Sequence, residues 1–106
     1  MSGKLVRLLG LGLRAGRVVV GVTGVRAQLQ RDRLRCVVLA ADASARTREK
    51  VERLARARGV PVVPGPAALD LGAGLGGPAG GGGSVQAVGV ADAALARGVL
   101  RLGRSE

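Results

Sequence analysis

The stretch VVLAADASARTREKVERLARARGVPVV (Val37–Val63) decides the fold class. It opens in a continuous apolar run, Cys36 to Ala41, of strand length and without alternation, as expected of a strand covered on both faces. Ser44 is a suitable N-cap, and Thr47, Val51, Leu54, Ala55 and Arg58 then recur at helical spacing. Glu49 with Arg53, and Glu52 with Arg56, form i,i+4 pairs in the favourable order. Gly59 suits a left-handed C-cap, and Pro61 forbids continuation of the helix. Val60 to Val63 reads as an edge strand, because a proline cannot donate to a central ladder.

The same alternation extends in both directions. Upstream, Leu5, Leu8, Leu9 and Leu13 follow helical spacing, Gly16 is a stop, and Val18-Val19-Val20 is a short strand. A second helix is predicted from Thr23, with Val25 and Leu29 inward and Arg26 and Gln30 outward. Downstream, Pro66 to Leu71 is read as a short helix, and residues 72–83 hold eight glycines in twelve and are read as a mobile loop. Val85, Val88 and Val90 mark a last strand, and Asp92 caps a helix whose inner face is Leu95, Val99 and Leu102. Strands alternating with helices predict an α/β layered domain. At 106 residues the chain is expected to be one domain, 1–106, carrying the glycine-rich loop at 72–83.

Composition narrows the function classes. Of 17 basic residues, 15 are arginine, and the formal net charge is +10. The first 35 residues hold eight of them (Lys4, Arg7, Arg14, Arg17, Arg26, Arg31, Arg33 and Arg35) against Asp32 alone. Such uneven cationic placement points to a polyphosphate partner, and a planar guanidinium suits phosphate oxygens. The chain has no Phe, Tyr or Trp, so single-strand recognition by aromatic stacking is disfavoured and the core must be aliphatic. Without His and with one cysteine, Cys36, no zinc site or internal disulfide is expected; no cofactor is implied. Ser44 and Ser84 have no histidine to activate them, and Asp42, Glu49, Glu52, Asp70 and Asp92 read as caps or surface partners, so no catalytic residue is nominated. Gly72-Ala-Gly74-Leu-Gly76-Gly77 matches GxGxxG in letters but lacks a preceding strand and a following helix. Gly21-Val-Thr-Gly24 matches GxxG without the basic residues a KH loop carries between its glycines. A reduced cysteine and no apolar run near 18 residues lead to the expectation of a cytoplasmic protein with no membrane partner.

LLGLGLRAGRVVVG (Leu8–Gly21), the Val37–Val63 stretch, LGAGLG (Leu71–Gly76) and VGVADAALARGVL (Val88–Leu100), taken together, resemble the bacterial members of the ribosomal-protein family that binds kink-turn RNA. That resemblance implies a three-layer α/β/α sandwich with a mixed four-stranded sheet. It also implies non-catalytic binding of structured RNA, ribosomal RNA above all, and association with the ribosome. Two other roles stay open: a substrate-recruiting domain for an RNA-modifying enzyme, and a protein-interaction module of the same fold. The oligomeric state is left open too.

In that family RNA meets the turn opening the second helix, in a pattern Gly-x-Asn/Lys-Glu/Gln-x-x-Lys, and the loop after the LGxxxG stretch. Here the pattern reads Gly21-Val22-Thr23-Gly24-Val25-Arg26-Ala27. Gly21 matches and Thr23 keeps a hydrogen-bonding group, whereas Gly24 lacks a polar side chain and Ala27 lacks the charge. The resemblance therefore nominates Gly21, Thr23, Gly24 and Arg26, with Leu71 and Gly72 from the distal loop. Arg14, Arg17, Arg31 and Arg33 are expected to flank the turn and bind the sugar–phosphate backbone.

Overall fold

The computed structural model describes residues 2–75 and 83–105. Five helices and four strands follow in the order α1 (Ser2–Arg14), β1 (Val18–Val20), α2 (Val22–Gln30), β2 (Cys36–Leu39), α3 (Ala45–Ala57), β3 (Val62–Pro64), α4 (Ala68–Gly74), β4 (Ala87–Val90) and α5 (Ala93–Ser105). The sheet order is β1-β4-β2-β3. β2 and β3 are parallel, with Val38 opposite Val63, and β4 runs antiparallel to both of its neighbours, β1 and β2. Helices α2 and α3 pack together on one face, while α1, α4 and α5 pack on the other. This is the three-layer α/β/α sandwich with a mixed four-stranded sheet that the resemblance implied.

The two central strands explain the unbroken apolar runs. Every residue of β2 and β4 is buried, because helices cover both sides of the sheet. The core is aliphatic apart from Cys36; Leu5, Leu9, Leu29, Leu39, Leu71 and Val99 are among its fully buried side chains, and among the described residues no polar one is buried with them. Ser44 Oγ accepts the Thr47 N–H at 3.1 Å, Asp92 accepts the Leu95 N–H at 2.8 Å, and Gly59 ends α3 at φ +68°, as their spacing indicated. Edge strand β3 follows Pro61 and ends on Pro64, where no central ladder bond is lost.

Some boundaries differ. β2 ends at Leu39 rather than Ala41, because the N–H of Ala41 turns away to the carbonyl of Pro66. Glu52 faces Arg48, one turn earlier, at 3.8 Å, rather than Arg56. The helix expected over Pro66–Leu71 instead spans Ala68–Gly74, so residues 72–74 are helical and not loop. Gly72 is buried against the backbone of Gly83 and Ser84, a close approach only glycine permits. The remainder of the expected loop, 76–82, lies outside the described residues.

Burial also decides the chemistry of the lone cysteine. Cys36 is fully enclosed in β2, and desolvation pushes its thiol up to about 12. The unfolded thiol ionises near ~8.5, so this group's contribution to stability is full below that pH and is lost as pH rises toward the folded value. At about pH 8 a thiol reagent should therefore label the native protein only as fast as it unfolds, and label at once in denaturant. Fast labelling of the native protein would show that β2 is open to solvent.

Candidate nucleic-acid interface

Strands β1, β2 and β3 point the same way, so helices α2, α3 and α4 all begin at one end of the sheet, here called the exit end. Three helix N-termini at one end make a locus of unsatisfied N–H groups and partial positive charge. Two of the three are capped by side chains. Ser44 caps α3, and its own N–H donates to Gln86 Oε1 at 3.4 Å. Asp42 reaches 26 residues along the chain to accept the Ala68 N–H of α4 at 2.7 Å. Arg48 ties the end of β2 by donating to the carbonyls of Ala40 (3.3 Å) and Ala41 (3.2 Å).

Helix α2 differs. Its N-cap, Gly21, has no side chain, and no side-chain cap bond is made. Gly21 sits at φ +103° and ψ 151°, a conformation essentially reserved for glycine, with its N–H donated to the Ala87 carbonyl at 2.8 Å. The backbone is thus pinned to β4 while the first turn of α2 opens outward. Thr23 is exposed there, and Ala27 is exposed one turn on. Gly24 is half-buried, and a Cβ at that position would lie 2.6 Å from Val19 Cγ2 on β1. The missing polar side chain at position 24 therefore goes with a close helix–strand contact.

Arg26 is turned from the Ala27 side toward α3. It lines a groove of about 480 Å³ between α2 and α3, together with Gln30, Lys50, Arg53, Leu54 and Ala57. Adjacent residues on a helix diverge by about 100°, so the Arg26 charge points toward α3 and not along the Ala27 direction. Leu71 and Gly72 are both buried in the packing of α4.

The four remaining nominated arginines do not flank the turn. Arg17 precedes β1, and its carbonyl accepts the Ala91 N–H at the far end of β4. Arg31 and Arg33 lie in the α2–β2 connector, which is tied to that same end by the Arg35 N–H on the Val90 carbonyl at 2.7 Å. Arg17, Arg31 and Arg33 are thus at the entry end of the sheet, opposite Gly21. Arg17 is also committed locally: it pairs with Asp92 at 2.7 Å, and the Leu95 N–H followed by Arg17 holds the Asp92 carboxyl below its ordinary range. Arg14 closes α1 and lines a separate groove of about 510 Å³ between α1 and α4, with Arg7, Pro66 and Asp70. A count of charge along the chain could not separate these places, because β1 carries the chain from one end of the sheet to the other. Among the described residues no group of three His, Cys, Asp or Glu side chains is placed to hold a metal ion, and no helix is long and apolar enough to cross a membrane.

Comparison with known proteins adds to this geometry. The family model for the ribosomal protein L7Ae/L30e/S12e/Gadd45 family matches residues 4–97. Among solved structures, a protein of unknown function from Bacillus halodurans superposes with a TM-score of 0.85 at 26% identity, over 96% of this chain and 98% of that one. The Giardia lamblia 15.5 kD RNA-binding protein superposes with a TM-score of 0.69 at 19% identity, over 95% of this chain and 82% of its own. No curated protein sequence matches the chain.

Proposed function

The chain belongs to the ribosomal protein L7Ae/L30e/S12e/Gadd45 family, and from that premise we propose that it is a non-catalytic binder of structured RNA, associated with the ribosome, that meets RNA at its exit end. The observation that carries this reading is the α2 N-terminus, open at Gly21 where its two neighbours are capped by Ser44 and Asp42. Free N–H groups and a positive helix end suit a phosphate or the edge of an extruded base. The RNA-binding function of the Giardia protein of the same fold supports the partner class. The absence of aromatic side chains favours recognition of backbone and shape over base stacking.

Kink-turn preference is the finer part of the reading, and positions 24 and 27 bear on it. Backbone contacts position a protein but do not specify sequence, so the lack of polar groups at Gly24 and Ala27 implies weak discrimination between a kink-turn and a plain duplex. Ala27 offers the direct test, being exposed and away from the core. Ala27→Lys and Ala27→Glu both keep a good helix former, so folding stability should change little. We expect Ala27→Lys to tighten kink-turn binding several-fold and Ala27→Glu to weaken it about tenfold, as read by fluorescence anisotropy, since one polar contact is worth ~1–3 kcal/mol. Restoring a carboxylate at position 24 needs Val19→Ala alongside Gly24→Glu, to make room for the new Cβ. If opposite charges at position 27 leave affinity unchanged, the exit end is not where RNA binds.

A further inference from the structure

The densest uncompensated charge lies away from the α2 turn. In the connector between α2 and β2, Arg31, Arg33 and Arg35 are all exposed around the buried Leu34. The connector is held from both sides. The Asp32 N–H donates to the Leu29 carbonyl at 3.1 Å, the Arg33 N–H to Gln28 at 3.0 Å and the Arg35 N–H to Val90 at 2.7 Å. Asp32 adopts φ +57°, and its carboxylate is taken by Arg58 at 3.0 Å. Asp92, at the same end, is taken by Arg17. Five guanidinium groups thus gather at the entry end against two carboxylates, each already paired. Among the described residues Arg31, Arg33 and Arg35 have no ion-pair partner.

Three like charges within five residues repel one another, and none of the three is part of the core, since of residues 31–35 only Leu34 is buried. A backbone tied at three points holds them along one arc, so little backbone ordering entropy is lost when anions bind. The groove carrying Arg26, Lys50 and Arg53 leads toward this arc, because α2 and α3 both descend from the exit end to Arg31 and Arg58. We propose that the entry-end arc Arg31/Arg33/Arg35 is a second RNA-backbone surface, so that one molecule grips two segments of folded RNA from opposite ends of its sheet. The inference takes its partner class from the RNA-binding reading above, and its location from the arginine placement alone.

The experiment uses the full chain and an unkinked RNA duplex of about 20 base pairs as the probe for backbone binding. The variants are Arg31→Ala/Arg33→Ala/Arg35→Ala, the corresponding triple change to lysine, and Ala27→Glu, each checked for the parent's circular dichroism spectrum. The triple alanine variant should bind duplex at least tenfold more weakly, and its log affinity against log salt should be shallower by about 2–3, near 0.9 per lost phosphate contact. The lysine version should keep most of the affinity, and Ala27→Glu, which acts at the exit end, should weaken duplex binding less than the triple alanine change does and leave the salt slope steeper than that variant's. Protein already saturated with a kink-turn RNA should still capture labelled duplex, and the triple alanine variant should not. Duplex binding by the alanine variant equal to the parent's overturns the second surface while leaving kink-turn binding, and the RNA reading, in place. Loss of duplex capture on saturation overturns it too, since that means one surface serves both RNAs. A parent that binds neither RNA brings down the RNA reading and this one with it, and would make an acidic protein the partner to seek at the arc.

Discussion

Affinity for structured RNA should fall roughly 600-fold between about 50 and 300 mM monovalent salt, if about four phosphates are neutralised at ~0.9 log units each. The motivation is a net charge of +10 carried almost wholly by exposed arginines, whose interaction with a phosphate chain releases condensed counterions. The plot of log affinity against log salt should be straight, and charge-preserving lysine substitutions should leave its slope in place. The protein has no Trp or Tyr, so near-ultraviolet absorbance of a purified preparation comes from bound nucleic acid, and the salt at which that signal is stripped gives an independent reading. An affinity that stays flat across this range would exclude phosphate contacts as its main source.

The largest effect on stability is expected at a residue that looks like part of a loop. Gly72→Ala would place a methyl group inside the van der Waals shell of the Gly83 carbonyl oxygen, with Ser84 directly behind. Both obstacles are backbone, and the Val85 N–H next to them is bonded to the Ala68 carbonyl at 3.0 Å, so relief requires α4 to separate from the segment entering β4. Overpacking typically costs ~1–3 kcal/mol, and a backbone obstacle belongs at the top of that range. For a domain of this size, about 3 kcal/mol lowers Tm by roughly 12–24 °C. Thermal unfolding followed by far-ultraviolet circular dichroism would measure it, and a Tm within a degree or two of the parent's would show that α4 and Gly83 do not approach. Gly10→Ala makes the matched control, because a Cβ there comes no closer than 3.9 Å to the Gly74 carbonyl oxygen.

What could be seen in the sequence is what local chemistry determines. Ser44, Gly59, Pro61 and Asp92 announce element ends because caps and breakers act within one turn, and β2 announces its burial by having no polar alternation. Gly72 misled because glycine abundance usually signals loop, whereas here it answers a tertiary approach between segments more than ten residues apart. Asp42 could be read as a cap, but not as the cap of α4, which it meets only through the parallel pairing of β2 and β3. For the site, Gly21 was nominated by the resemblance alone, and its missing side-chain cap is seen only once α2 is found to begin at Val22. The places of the arginines were not legible, since eight charges in 35 residues look like one cluster until β1 and α2 are seen to carry them to opposite ends of the sheet.

The strand order has a consequence for the time course of folding. β1 has one partner, β4, and the two are 72 residues apart at Val18 and Val90. As the chain leaves the ribosome at ~5–20 residues per second, the β2–β3 pair can form early with α3 across it, whereas β1 has no ladder to join until β4 emerges. A nascent chain therefore carries Val18-Val19-Val20 as an unpaired apolar segment for several seconds, covered only by its neighbours α1 and α2. Arrival of β4 completes both of its interfaces together, so closure is a single late event dominated by long-range contacts, the class of event that makes folding slow relative to a helical bundle.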